Sequence, residues 1–328
     1  MAELQITWFF LVGILLSGYA VLDGFDLGVG FWHFFAKEEK EKSFFIESVA
    51  PFWDGNEVWL LTGGGAIFAA FPPVYSSIFS GFYLAFILVL MGLIFRAVSI
   101  EYRGLVGSQN WKKAWDMAFA AGSTLSAILF GIALGNIVRG IPLDNTGSYT
   151  GSFFDLLNPY ALLVGLTGLS MFAVHGAVFI LLKSSGKIRD KVRRWFSICW
   201  WIYAGLFLVS TSWSIFGIQR GSVIVSALLA LIALSSIALV RVWVKREEYF
   251  KSFLASSSAI ISILGAVGAS LFPNLVPASN DADLSLSIYN SSSSQNTLIV
   301  MTVLALLGMP VVIGYTVYIY RVFSRDGP

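Results

Sequence analysis

The chain has 328 residues, of which 57% are hydrophobic and only 12% charged, and its formal net charge is +2. Soluble domains carry roughly 25% charged residues, so this balance, with a mean hydropathy of +0.77, excludes a water-soluble enzyme and leaves no stretch resembling a nucleic-acid surface. The single cysteine, Cys199, can form no internal disulfide and so carries no information about redox compartment.

The amino terminus, MAELQITWFF, lacks the basic region of a cleavable signal peptide. Its apolar run therefore reads as the first of nine transmembrane helices, at about 6–35, 50–71, 75–95, 114–138, 157–182, 195–217, 222–240, 252–272 and 297–320. Each run is about the length needed to cross the hydrocarbon core. The second, VAPFWDGNEVWLLTGGGAIFAAFPPVY at 49–75, is unusual: it carries Asp54 and Glu57 between Trp53 and Trp59, then the triplet Gly63, Gly64, Gly65, and stops at Pro72 and Pro73.

Basic residues set the orientation, because loops on the cytoplasmic side are enriched in Lys and Arg. With nine spans and the amino terminus outside, every Lys and Arg except Arg139 and Arg220 falls on the cytoplasmic side, Arg96 and Arg103 among them. The carboxyl terminus is then cytoplasmic. The long outer segments are 139–156 and 273–296, the second being serine-rich and free of basic residues, as suits a cap or a flexible loop.

The acids are unevenly distributed. Spans five to nine hold none, with Asp190, Glu247, Glu248, Asp281, Asp283 and Asp326 read as loop or terminal residues. Asp23, Asp26, Asp54 and Glu57 lie in the first two spans, and Glu101 and Asp116 flank the third and fourth. At 1.5 Å per residue, Asp23 is about 25 Å from the outer end of its helix, past the midplane. Carboxylates at such depth are functional candidates by default, and a set facing the cytoplasm suits proton uptake. Two plainer readings stand beside this one. Pro51 at a first helical position, with acids in the first turns, favours the helix dipole. Asp23 and Asp26, three apart on one face, can bond a neighbouring backbone or Arg96 to fix packing. Gly24 and Gly28 have the spacing that lets another helix approach closely.

A redox subunit needs axial haem ligands, but the only histidines are His33 and His175, on different spans. They read as packing or hydrogen-bonding residues. Neither a cofactor nor a metal site follows from the sequence.

The stretches YAVLDGFDLGVG at 19–30, PFWDGNEVWLLTGGGAIFAAFPPVY at 51–75, SGFY at 80–83 and FRAVSIEYR at 95–103 together resemble subunit II of the prokaryotic cytochrome bd-type quinol oxidases. The likeness continues through WDMAF at 115–119, GNIVRGIP at 135–142, FFDLLNPYALLVG at 153–165 and SLSIYNSSSSQNTL at 285–298.

That resemblance implies an all-α integral membrane protein of two four-helix bundles plus one peripheral helix. The first bundle would span 1–138 and the second 157–272, with outer loops 139–156 and 273–296, and a ninth span with its tail at 297–328. It implies a heterodimer with subunit I, which holds haems b and d and the quinol site, and no cofactor bound by this chain beyond a structural quinone in some members. Small single-span accessory subunits, lipid and quinone are further expected partners. Within the resemblance, Asp54 belongs to a proton route into subunit I and Trp59 to a hydrophobic oxygen passage. Glu101 stands where some members have Asp, which keeps the charge and lengthens the reach. Two other functions fit the residues: a proton-coupled secondary transporter, which would favour broken helices in both halves, and a purely structural scaffold subunit.

Overall fold

A computed structural model describes residues 1–218 and 220–325. Asp326, expected in the tail, lies outside the described residues. The chain is almost entirely helical: α1 (Ala2–Leu22), α2 (Gly24–His33), α3 (Glu39–Val49), α4 (Trp53–Ala70), α5 (Pro72–Gly81), α6 (Tyr83–Tyr102), α7 (Gln109–Arg139), α8 (Pro159–Lys183), α9 (Gly186–Trp213), α10 (Val223–Lys245), α11 (Tyr249–Leu271) and α12 (Gln295–Arg325).

Local chemistry sets many of the ends. Asn158 caps α8 by accepting from the Ala161 N–H at 3.0 Å, with Pro159 at the first position. Glu38 and Glu41 form a reciprocal capping box on α3. Gly140, at φ 89°, closes α7 in a conformation that favours glycine.

Eight helical stretches among the described residues are long and apolar enough to cross a membrane: Ala2–His33, α6, α7, α8, Gly186–Ile218, α10, α11 and Gln295–Ile319. The exception among the expected spans is α4, whose first turns contain Asp54, Asn56 and Glu57 and fall short on composition.

The structure corrects several expected boundaries. The first span is broken at Asp23 into α1 and α2, and the stretch read as 75–95 is divided at Phe82 into α5 and a longer α6. Arg96 therefore lies inside α6, fully buried, and not in a loop. The basic run 187–194, with Asp190, forms the first turns of α9. Pro51 sits in the turn between α3 and α4 and is not a first helical residue, although Asp54 does lie in the first turn of α4. The segment 273–296 is an ordered cap and not a flexible loop. It pairs β1 (Asn274–Val276) antiparallel with β2 (Leu286–Ser287), bridges Ile141 to Ala278, and donates from Ser293 Oγ to the Ala69 carbonyl at 2.6 Å.

One hydrophobic core runs through both halves of the chain, from Phe25 and Leu27 of α2 to Ala259 and Ile260 of α11. A second cluster, at the end bearing the cap, joins Trp8 and Val12 of α1 to Phe71, Val74, Leu143 and Val276. The crossing of α2 with α8 is close because Gly28 faces the Phe172 carbonyl and Gly176, where a β-carbon on Gly28 would meet backbone. A valine at position 28 is expected to force α2 and α8 apart at a cost of about 1–3 kcal/mol or more. A thermal-unfolding scan in detergent should show a lower midpoint for Gly28→Val, and an unchanged midpoint would count against this crossing.

Candidate functional site

The break at Asp23 has identifiable causes. His175 Nε2 of α8 lies 2.9 Å from the Val21 carbonyl, and Asn56 Nδ2 of α4 donates to the Leu22 carbonyl at 2.9 Å. These two side chains take up carbonyls at the end of α1, where a helix otherwise leaves them unsatisfied. His175 is held in turn by Ser256 Oγ at 2.7 Å from Nδ1. The chain can then restart at Gly24 with Asp23 at the junction and Asp26 in the first turn of α2.

Around that junction the structure gathers Asp23, Asp26, Glu57 and Arg96. Arg96 Nη1 donates to Asp23 Oδ1 at 2.7 Å, and Nη2 donates to Glu57 Oε1 at 2.5 Å. Asn56 Nδ2 donates to Asp26 Oδ2 at 2.8 Å. The Arg96 and Asp23 side chains have 0% exposure, whereas that of Glu57 has 23%, which makes Glu57 the edge of the group. Asp23 Oδ2, Asp26 Oδ1, Arg96 Nε and the Tyr19 hydroxyl are buried without a hydrogen bond of good geometry.

Asp54 is exposed, one turn before Glu57 on α4, and its charge acts on Glu57. Together these residues run from an exposed carboxylate through a partly covered one to a pair with no exposure.

The other acids stand apart. Asp116 has three side-chain partners at the opposite end from the cap: His33 Nε2 at 2.7 Å, Lys42 Nζ at 3.0 Å and Arg103 Nε at 2.6 Å. Arg103 also donates to Glu39 at 3.0 Å, as Lys112 does at 2.9 Å, and Lys191 of α9 binds Glu41 at 2.6 Å. These pairs fasten α3 to α6, α7 and α9. Glu101 is exposed on the last turn of α6. The expected acids therefore divide into a buried group around Arg96 and a clasp around Asp116.

Trp53 packs half-buried against the main core. The Trp59 ring lies against Gly18 and lines a cleft of about 700 Å³ between α1, α4, α10 and α11, walled by Phe9, Ile14, Leu229, Leu264 and Phe272. Gly63 meets Leu16, while Gly64 and Gly65 have open space where a β-carbon would stand. Asn56 is the residue that sequence reasoning missed, whereas His175 is the hydrogen-bonding residue it was read as. The signal for Asn56 was a polar residue between two acids in WDGNE.

The family described as cytochrome bd terminal oxidase subunit II matches residues 4–323. The chain belongs to that family. It is 34% identical to the cytochrome bd-I ubiquinol oxidase subunit 2 of Escherichia coli (strain K12) over 98% of this chain and 95% of that one. To the cytochrome bd ubiquinol oxidase subunit 2 of Bacillus subtilis (strain 168) it is 33% identical over 99% and 97%. A chain of the bd oxidase from Geobacillus thermodenitrificans shares the fold, with a TM-score of 0.82 over 99% of both chains at 15% identity. As a bd oxidase subunit II with eight apolar helices, the chain is a multi-pass protein of the prokaryotic inner membrane.

The clasp has a pH signature. Burial pushes the Glu41 carboxyl up, but Lys191 and the N–H groups of Lys37 and Glu38 outweigh it and hold the carboxyl below its ordinary value of 4.5. A carboxyl depressed on folding stabilises fully above its unfolded value and loses that contribution as the pH falls through the folded value. The thermal midpoint should therefore drop on acidification below 4.5, and Glu41→Gln should flatten that part of the profile. Identical acid profiles for the two proteins would contradict the clasp.

Proposed function

We propose that this chain is the haem-free subunit II of a quinol-oxidising, oxygen-reducing bd-type oxidase, joined to a subunit I that carries the haems and the quinol site. In this reading the chain stabilises its partner and gives protons and oxygen access to a reaction centre it does not contain. The observation that carries the proposal is the graded series from exposed Asp54, through Glu57, to Arg96, Asp23 and Asp26 without exposure.

Several features support it. Asp23 and Glu57 share one guanidinium and Asp26 lies beside them on Asn56, and intramembrane carboxylates typically serve proton relays. Neither histidine suits axial haem ligation: both ring nitrogens of His175 are engaged, and His33 is tied into the ion pairs of Asp116. The apolar cleft under Trp59 suits oxygen, which needs no polar partner. The open stripe of α4, with exposed Asp54, Val58, Leu61, Gly65 and Phe68, offers a face for the partner helix to which Asp54 would pass protons.

The finer topology belongs to the same proposal. Counting α4 as a ninth span puts the amino terminus outside and the basic clasp in the cytoplasm, which agrees with the charge rule. The first bundle takes residues 1–138 and the second 157–272, and α12, only 6% of whose span is buried, is the peripheral helix. Glu101 and Asp116 are then placed at the cytoplasmic surface, Asp116 as a structural anchor. The family relation also leaves room for a structural quinone and for single-span accessory subunits.

A scaffold role is the second reading, because Arg96 bonded to Asp23 and Glu57 is also what a packing lock looks like. A transporter is disfavoured because the acid-bearing broken helix occurs in one half only. Asp54 separates the readings, since its exposed side chain makes little contribution to stability. Asp54→Asn should lower oxygen consumption of the assembled complex on the order of a hundredfold, the lower end for a lost proton-transfer group, while the haem spectrum stays normal. Full activity at full haem content would leave only the scaffold.

A further inference from the structure

The two basic residues that the charge rule leaves on the far side, Arg139 and Arg220, come together in the fold. Arg139 ends α7, and Arg220 lies between α9 and α10. Arg220 Nη2 donates to the Arg139 carbonyl at 2.9 Å and fills the space beside Gly140, where a β-carbon would stand. Both line a depression of about 360 Å³ with Asn158, Tyr160 and Trp213. Among the described residues neither guanidinium has a carboxylate within ion-pair distance. The acid whose charge Arg139 feels, Asp155, accepts instead from the backbone and hydroxyl of Ser152, at 2.7 and 2.9 Å.

Below Arg220 and Tyr160 a second cavity of about 120 Å³ runs into the helices, with Val164, Phe207, Ala230 and Val267 among its walls. Its polar atoms are already used: the Tyr160 hydroxyl lies 2.7 Å from Ser214 Oγ, and Ser226 Oγ donates to the Ala266 carbonyl at 3.2 Å. The wall includes the π-helical turn Ser214–Ile218, an irregularity often found at functional sites. Two guanidiniums at the rim without an ion pair among the described residues, a tyrosine and a tryptophan beside them, and an apolar shaft beneath match an anionic head with an attached chain. Arginine recognises phosphate through paired N–H donors, and Tyr and Trp concentrate at headgroup depth.

We propose that Arg139 and Arg220 hold the phosphate of one anionic phospholipid, with part of an acyl chain in the cavity lined by Phe207 and Ala230. The site would serve as a lipid seal between α7 to α11 at the end of the protein bearing the β1–β2 cap.

The complex is purified from its membrane as it assembles, exchanged through detergent, and its bound lipid counted by native mass spectrometry. One phosphatidylglycerol per complex should survive in the wild type, and retention should fall about tenfold in the double variant R139Q/R220Q. R139K/R220K, which keeps the charge, should recover most of it, which separates head recognition from misfolding. Ala230→Phe keeps both arginines and fills the shaft, so it should also lose the lipid. Re-addition of phosphatidylcholine should not restore occupancy, and excess inorganic phosphate should not displace the lipid. Equal retention in the wild type and R139Q/R220Q, equal uptake of phosphatidylcholine, displacement by phosphate alone, or a neutral quinone in place of the lipid would each overturn the proposal.

Discussion

The ion pair between Arg96 and Asp23, buried at the point where α1 gives way to α2, is the constraint on which the first half of the molecule depends. A charged side chain inside a membrane protein is tolerated when paired, and removing one partner leaves an uncompensated charge that typically costs about 3–5 kcal/mol. Arg96 meets this requirement by reaching two helices at once, Asp23 at the α1–α2 junction and Glu57 on α4. The pair is possible only because His175 and Asn56 take the carbonyls of Val21 and Leu22, and because Gly28 lets α2 lie close to α8. Ion pair, helix break and glycine contact form one arrangement, and a change in any of them reaches the others.

The two ends of the protein use polar residues differently. At the basic end, Asp116, Glu39 and Glu41 are saturated with Lys, Arg and His partners. Such saturation fixes geometry. At the break, Asp23 meets Arg96, Asp26 meets Asn56, and the two carboxyls lie against each other. The contrast within one chain is between carboxylates at the basic end, each tied to a Lys or Arg, and carboxylates without exposure gathered around one buried guanidinium.

Much of this was legible in the residues. Runs of apolar length gave the helices, and the close spacing of Asp23 with Asp26 and of Gly24 with Gly28 gave the faces that meet Arg96, Asn56 and α8. Arg96 was misread because hydropathy places the end of a span at the first charge, whereas a buried partner lets the helix continue past it to Tyr102. Pro51 was misread because a turn between two helices uses the same residue as a helix start. The break at Asp23 could not be seen, since Gly24 alone does not stop a helix, and the side chains that stabilise the break come from α4 and α8, far away in sequence. The ordering of 273–296 was hidden for the same reason: its serines read as flexible until their partners, such as the Ala69 carbonyl for Ser293, are known.

The proposed function asks the charges around Arg96 to move protons as well as to hold the fold. Buried ion pairs can often be replaced as a set by neutral groups of similar shape with little loss of stability, which makes the two roles separable. The direct measurement is oxygen consumption, alongside haem content, of a complex carrying Arg96→Gln, Asp23→Asn and Glu57→Gln together. The account predicts that this neutral set assembles with its full complement of haem, as Arg96→Gln alone does not, yet turns over oxygen far more slowly than the parent. A neutral set that assembles and respires at the parental rate would contradict it.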